Sequence, residues 1–382
     1  MNKIICLNSI SKVGLKNLKS NYEITENMEE ANGVLVRSAA MKEMTVPDSV
    51  LAIARAGAGV NNIPLDICAE RGICVFNTPG ANANAVAELV ICGMLIAARD
   101  VIGGVNWVQG DKESPTVAKD VEKAKKDFAG FEIMGKTLGV IGLGAVGAGA
   151  ANKAIALGMD VVGYDPFLTA AAAEKISPKV KMVTDLADIY KNSDYITIHV
   201  PLMDNNHGMI GKEAIGQMKD GVVFLNFARD LLVDDDAMAE ALSSGKVKRY
   251  ISDFPNPKSA NMKGCICIPH LGASTEEAED NCAVNAVEEL MDYIDNGNIK
   301  NSVIYPAVTL ENAASAGRLA VIYKAAEGME EKIIAAVKNI NNKAGGTRKA
   351  YGYLLLDLGE SGSVSADAVR KIDGVLRVRV IR

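Results

Sequence analysis

Gly142-Leu143-Gly144-Ala145-Val146-Gly147 follows the short apolar run Thr137-Leu138-Gly139-Val140-Ile141 and precedes an alanine-rich stretch, Ala148 to Leu157. An apolar run of that length reads as a buried parallel strand, and the alanines read as a helix. Met159 to Tyr164 forms a second strand that ends at Asp165, 18 residues beyond Gly147. A dinucleotide-binding βαβ unit carries its acidic residue about 20 residues on. In such a unit the first glycine permits the tight turn, the second lets the backbone approach a pyrophosphate, and the third lets helix and strand pack closely. The free N–H groups of the helix start then face the phosphates. Asp165 accepts from the adenosine ribose hydroxyls and repels a 2′-phosphate, which favours NAD over NADP. Pro166-Phe167-Leu168 supply no arginine to reverse that preference. In a chain with 35 glycines the G-x-G-x-x-G pattern alone is weak; its flanking strands and Asp165 carry the reading.

Because the pattern begins at residue 142, at least a domain's worth of chain precedes it, and 382 residues leave room for two or three domains. Short apolar runs at Lys3–Leu7, Gly33–Val36, Val50–Ala54 and Ile73–Phe76 alternate with helical patterns, which predicts a parallel α/β domain. Asn84 to Arg99 reads as one helix with Asn84 as N-cap. The polar stretch 117–127 reads as a solvated helix or connector. Beyond Asp165, strands are expected at Tyr195–Val200, Val222–Asn226, Tyr250–Asp253 and Cys265–Ile268. Ser274-Thr275-Glu276-Glu277 is a capping box that opens a long helix to about Asn296 and returns the chain to the first domain. The tail, 317–382, reads strand, helix, two strands, helix, strand, a ferredoxin-like βαββαβ order.

Composition narrows the functional classes. Hydrophobic residues make up 49% and charged residues 23%, ordinary for a globular protein. A net charge of −6 argues against nucleic acid as a partner. The longest apolar stretch, Leu89 to Ala98, is too short to span a membrane, and the N-terminus reads as a strand, not a signal peptide. Seven scattered cysteines fit a reducing cytoplasm better than a disulfide framework.

Two motifs are decoys. Gly130-Phe131-Glu132-Ile133-Met134-Gly135-Lys136-Thr137 matches the P-loop expression, but a charged stretch precedes it and a strand follows, the reverse of the order that places phosphate at a helix start. Cys265 and Cys267, with His270 nearby, have metal-like spacing. Period-2 spacing instead puts both cysteines on one face of a strand, where they pack as small hydrophobes, and no metal is expected.

With only three histidines, proton transfer near neutral pH has few candidates. His199 and His270 follow predicted strands, and ligands of open α/β sheets bind beyond the carboxyl ends of strands. His207 lies in a polar segment. Arg229, after the strand Val222–Phe227, can hold a carboxylate in a bidentate fork.

Taken in order, Gly142–Gly147, Asp165, His199-Val200-Pro201-Leu202, Asn226-Phe227-Ala228-Arg229 and Pro269-His270-Leu271-Gly272-Ala273 resemble the D-isomer-specific 2-hydroxyacid dehydrogenases over about residues 1 to 305. Val36-Arg37-Ser38, the stretch Arg55 to Ile63, and Asn77-Thr78-Pro79-Gly80 resemble the phosphoglycerate dehydrogenase branch, and the tail resembles an ACT domain, notably at Ile372 to Arg379. The resemblance implies two doubly wound parallel-sheet domains plus a C-terminal ferredoxin-like ACT domain. The expected boundaries are 1–100 with 272–305 for the substrate domain, 101–271 for the NAD-binding Rossmann domain, 306–316 for a linker and 317–382 for a regulatory or oligomerising module. It implies oxidation of 3-phospho-D-glycerate to 3-phosphohydroxypyruvate with NAD, the first step of serine synthesis, in a homo-oligomer (dimer or tetramer). The alternatives are a dehydrogenase for another D-2-hydroxy acid and a non-catalytic NAD-responsive binding protein.

By the same resemblance His270 is the general base and Arg229 the carboxylate clamp. Gly142, Gly144, Ala145, Val146, Gly147, Asp165, Pro201, Ala228, Asp253 and Gly272 line the cofactor. Arg37, Ser38, Arg55, Ala58 and Gly59 meet the substrate, and closure of two domains excludes water. The chain departs from its relatives at two places. The glutamate expected after Asp253, to orient the histidine, is missing from Asp253-Phe254-Pro255-Asn256-Pro257-Lys258-Ser259; Asp253 and Glu276 are the candidate substitutes. The turn Tyr323 to Gly328 keeps only the glycine of the amino-acid-binding ACT turn, so assembly rather than serine feedback is expected of the tail.

Overall fold

The computed structural model describes residues 1–311, 317–359 and 366–381. Packing divides the chain into two compact units: Met1–Asn82 with Glu276 to the C-terminus, and Ala83–Thr275. In the first, β1 (Asn2–Cys6), β2 (Tyr22–Ile24), β3 (Gly33–Val36), β4 (Ala52–Arg55) and β5 (Cys74–Phe76) form a parallel sheet in the order β2-β1-β3-β4-β5. Both faces are covered, which is why these strands are near-continuous apolar runs without alternation. The long helix Glu276–Asn296 buries Ala286, Val287, Leu290 and Ile294 in one core with Ile4, Leu35 and Ala54. The chain returns to the first sheet here.

The second unit holds β6 (Thr137–Ile141), β7 (Asp160–Tyr164), β8 (Lys181–Met182), β9 (Tyr195–Ile198), β10 (Val222–Asn226), β11 (Val247–Ser252) and β12 (Cys265–Cys267) in one parallel sheet, ordered β12-β11-β10-β9-β6-β7-β8. This is the doubly wound order with one strand added at the β11 edge. It reverses between β6 and β9, the switch point at which such sheets bind ligands. The helix Ala83–Ala98 belongs to this unit: Ala87, Val90 and Met94 share a core with Ala150, Ala151 and Ala154 of the helix Ala145–Ala156. The packing boundary therefore falls at Ala83 and not at 101, because the small residues of both helices let them meet closely. Asn84 is not the N-cap; its Nδ2 donates to Glu88 Oε1 at 2.8 Å inside the helix.

The tail forms β13 (Arg318–Lys324), β14 (Ile340–Arg348), β15 (Tyr351–Leu358) and β16 (Val375–Ile381), an antiparallel sheet ordered β14-β15-β13-β16, with helices Met329–Ala335 and Ala366–Arg370 between them. This is the βαββαβ module the sequence predicts. The strand β14 runs the full length Ile340–Arg348, because these residues pair along the buried apolar strand β15 despite a polar, glycine-containing sequence; tertiary pairing overrides weak β-propensity. The module does not stand apart from the first unit. Tyr353, Leu355 and Ile381 share the core of the first sheet. Arg379 donates from Nη1 to Tyr293 O at 2.9 Å and from Nη2 to Ile294 O at 2.7 Å, a cation on the carbonyl end of the long helix where its dipole favours positive charge. The fully buried Arg318 forks onto Asp357, at 2.6 and 3.2 Å, and also donates to Asn296 O. Residues 312–316 of the expected linker lie outside the described residues. All seven cysteines are free thiols, and no helix among the described residues is long and apolar enough to cross a membrane.

Candidate active site

The turn after β6 is built around its glycines. Gly142 has φ +89°, a left-handed conformation that glycine adopts without steric cost. A Cβ at Gly147 would lie 1.9 Å from Gly142 O, so only glycine lets the helix start this close to the strand end. Among the described residues, a Cβ at Gly144 would meet no atom within 4 Å. Gly144 is also the N-cap of the helix Ala145–Ala156, and no side chain caps it. Its first N–H groups, those of Ala145 and Val146 among them, are the donors that an anion at a helix start engages. Asp165, after β7, accepts from Leu143 N through Oδ2 at 2.8 Å and from Phe167 N through Oδ1 at 2.9 Å. It ties the glycine turn to β7, and each oxygen keeps a further lone pair for a ribose hydroxyl.

Three more strand ends of the same sheet carry polar side chains. At β10 the fully buried Asn226 shapes the turn: its Oδ1 accepts from Ala228 N at 3.1 Å and its Nδ2 donates to Arg229 O at 2.8 Å. The turn projects Arg229, whose Nη1 also donates back to Ala228 O at 2.6 Å. After β11, Asp253 is 2% exposed. Its Oδ1 accepts from Leu271 N at 2.7 Å and its Oδ2 from Gly272 N at 2.8 Å. Burial holds this carboxyl above its ordinary range, against the pull of the two N–H groups and of His270. Asp253 thus fixes the backbone that carries His270 through both of its oxygens. His270 is exposed and has φ +54°, a conformation costing a β-carbon residue about 1 kcal/mol or more. Phe254 lies between the two candidate groups. Its ring meets the His270 imidazole at a centroid distance of 4.6 Å, tilted by 50°, and Arg229 Cζ stands 5.3 Å from its centroid.

The structure therefore brings Arg229 and His270 to the same end of the sheet, after β10 and β12, on either side of β11. His199 follows β9 behind the glycine turn; its Nε2 and Thr197 Oγ1 are 2.9 Å apart, and burial pushes the imidazole down to about 4. It is neutral and structural, which removes it as a proton carrier. His207 is exposed in the loop after β9. Pro201 opens that loop, and its carbonyl accepts from Asn206 Nδ2 at 2.8 Å. The P-loop look-alike leads into β6 and not into a helix. Cys265 and Cys267 share a strand face with their Sγ atoms 3.6 Å apart, and burial raises the Cys265 thiol. Spacing gave no hint of Phe254 or Asn226 as site-building residues: Phe254 meets side chains from other strand ends, and Asn226 works through the backbone of its own turn.

In the first unit the remaining candidates lie at the carboxyl ends of β3 and β4. Arg37 N donates to Asn8 Oδ1 at 2.9 Å, and its guanidinium pairs with Glu279 at 2.7 Å. Arg55 Nε donates to Arg37 O at 3.1 Å. Its guanidinium folds over Gly57, where a Cβ would come within 2.2 Å of Nη1. Ser38 and Ala58 are exposed, Gly59 is half-buried, and Asn77 Nδ2 donates to Ala58 O at 2.6 Å. One sheet edge thus gathers Arg37, Ser38 and Arg55 beside exposed backbone.

Residues 91–272 match the family described as D-isomer specific 2-hydroxyacid dehydrogenase, NAD binding domain. A hydroxypyruvate reductase of Thermotoga maritima is 35% identical over 280 residues, covering 70% of this chain and 86% of that protein. The chain belongs to the D-isomer-specific 2-hydroxyacid dehydrogenase family. A D-3-phosphoglycerate dehydrogenase of Methanocaldococcus jannaschii is 34% identical over 314 residues, 80% of this chain and 58% of that protein. The chain thus spans just over half the length of this relative. The structure of an NAD⁺-bound 3-phosphoglycerate dehydrogenase from Entamoeba histolytica superposes with a TM-score of 0.62 at 27% identity, over 79% of this chain and 98% of the other. For this dehydrogenase-family chain, NAD is the cofactor of the matched domain. The uncapped helix start, the open backbone at Gly144 and the anchored Asp165 fit its pyrophosphate and adenosine ribose.

Proposed function

We propose that the protein oxidises 3-phospho-D-glycerate to 3-phosphohydroxypyruvate with NAD and feeds serine synthesis. The observation that carries this reading is the approach of both Arg229 and His270 to the Phe254 ring, at the carboxyl end of a sheet whose switch point bears the glycine turn. NAD, when bound, supplies the hydride acceptor. Arg229 offers a guanidinium fork to the substrate carboxylate. His270 Nδ1 or Nε2 accepts the proton of the substrate hydroxyl; a positioned general base contributes about 10²–10⁴ in rate. Asp253 keeps the His270 turn in place through Leu271 and Gly272. Pro201, Ala228, Asp253 and Gly272 border the nicotinamide end in this reading. Arg37, Ser38 and Arg55, with the backbone at Ala58 and Gly59, supply the charge that a phosphorylated hydroxy acid requires.

Purified protein given NAD and 3-phosphoglycerate should produce NADH, followed by its absorbance; no turnover from pH 6 to 10 with any D-2-hydroxy acid overturns the reading. A second reading, reduction of hydroxypyruvate, is favoured by the Thermotoga relative, of which this chain covers 86%. Arg37→Ala and Arg55→Ala separate the two, because only a phosphorylated substrate should lose affinity by tenfold or more. We also propose a homo-oligomer and an ACT-like assembly role for the tail. The helix Val101–Gly110 buries none of its residues, and Val101, Ile102, Val105 and Val108 are exposed along it. A Val105→Lys variant that sedimented at the wild-type mass would remove that surface from the assembly.

A further inference from the structure

We infer that Phe254 is a positioning residue that holds His270 and Arg229 in register through its aromatic ring. The inference rests on the assignment of those two residues to the chemistry. Its motive is a gap in the ordinary means of holding a catalytic imidazole. The carboxylate that holds the His270 turn is Asp253, whose oxygens accept from the backbone N–H groups of Leu271 and Gly272. It anchors the turn and contributes charge, but it does not grip the ring. The group in contact with the ring is the Phe254 side chain, 4.6 Å away between centroids.

The same ring also receives the other candidate group, with Arg229 Cζ 5.3 Å from its centroid. An aromatic face attracts cations lying within about 6 Å of it. The guanidinium on one contact and an imidazole that gains a proton during oxidation on the other are both such cations. Phe254 follows Asp253 directly, so one two-residue segment holds the backbone of the His270 turn through the Asp253 carboxylate and meets the His270 ring through the tilted Phe254 ring. Pro255 then restrains the backbone after Phe254, since proline fixes φ. The charged groups facing the imidazole from these elements are Asp253, behind the turn, and Arg229, across the ring. The first favours the protonated imidazole and the second opposes it, and Phe254 sets the separation between His270 and Arg229.

The test uses the full chain, whose three histidines give countable imidazole NMR signals, assigned with His270→Ala. In Phe254→Leu the His270 ring signals should be displaced, because the neighbouring ring current is gone, while those of the distant His199 and His207 stay in place and report an intact fold. Phe254→Tyr keeps the ring and should keep the wild-type shifts. In Phe254→Glu the titration curve of the His270 signals should move to higher pH by about one unit or more, since the new carboxylate favours the imidazolium. In turnover, Phe254→Leu should lower kcat by about three- to thirtyfold, the range of a partly desolvated cation–π contact. The KM for NAD should hold, and Phe254→Tyr should restore kcat. His270 signals that coincide in wild type and Phe254→Leu, or a titration unmoved in Phe254→Glu, overturn the inference. The NMR readouts stand without turnover, so a wild type inert toward every 2-hydroxy and 2-oxo acid would overturn the proposed reaction and leave the role of Phe254 to be decided by the spectra.

Discussion

The turn at Gly142 and the turn at His270 solve the same problem with different residues. Each leaves the carboxyl end of a parallel strand with a positive φ, +89° at Gly142 and +54° at His270. Each is pinned by an aspartate from the next strand end, Asp165 on Leu143 N and Asp253 on Leu271 and Gly272 N. The glycine turn pays no steric penalty, and a side chain there would only obstruct a ligand that binds backbone. The second turn carries a histidine in the strained conformation, at a cost of about 1 kcal/mol or more. A chemical group can be aimed only from a residue that has one. One turn is built to be vacated of side chains and the other to present one.

The comparison breaks most visibly at His270→Ala. Turnover should fall by about 10²–10⁴ while NAD affinity, followed by nucleotide fluorescence, stays at the wild-type value; equal losses in both would mean that the two turns are not separate devices. Next comes the pair Gly147→Ala and Gly144→Ala. The first forces a Cβ to within 1.9 Å of Gly142 O; the second, among the described residues, meets no atom within 4 Å. Gly147→Ala should lower thermal stability by about 1–3 kcal/mol, as overpacking does, and Gly144→Ala should leave it unchanged, yet both should weaken NAD. A Gly144→Ala variant that binds NAD normally would displace the pyrophosphate from that turn. Asp165→Ala sharpens the comparison further. Loss of hydrogen bonds to a charged acceptor is worth about 1.5–3 kcal/mol, so discrimination against NADP should weaken by about tenfold or more, measured as the ratio of the two kcat/KM values.

The two turns also differ in how far the sequence discloses them. The glycine turn is legible in one dimension: three glycines, a strand before, a helix after and an acid at fixed spacing specify it almost completely. His270 and Arg229 are legible as polar residues after apolar strands, and the sheet does bring them together. What holds them is not legible. Asp253 and Phe254 act on groups distant in sequence, across strand ends, and no local pattern marks a buried asparagine that shapes its own loop or a phenylalanine that meets an imidazole and a guanidinium. His199 shows the opposite error. Its place after a strand qualifies it as a proton carrier, and only its burial, which pushes it down to about 4, removes it. In the fold, the strand Ile340–Arg348 is hidden for a similar reason, since its polar residues take their conformation from β15. The helix Ala83–Ala98 is legible as a helix, but its partner is chosen by the small residues of Ala145–Ala156 and not by its neighbours in sequence.

The finest test of the comparison is the pH dependence of the pin under His270. Asp253 is 2% exposed, and burial raises its pKa above the ordinary aspartate value even though Leu271 N, Gly272 N and His270 all pull it down. For an acid whose folded pKa lies above its unfolded one, the protonated form is the one the fold favours. The stability it contributes is fully present below the ordinary aspartate range and is lost as pH rises through the raised value. Asp253→Asn carries no proton to lose at that position. The thermal midpoint of the wild type minus that of Asp253→Asn should therefore decline as pH rises across that window and level off above it. The direction separates two accounts of the turn. If the N–H groups governed the carboxylate, its pKa would be depressed and the difference would climb with pH. A climbing difference would show that the hydrogen bonds from Leu271 N and Gly272 N outweigh burial at Asp253.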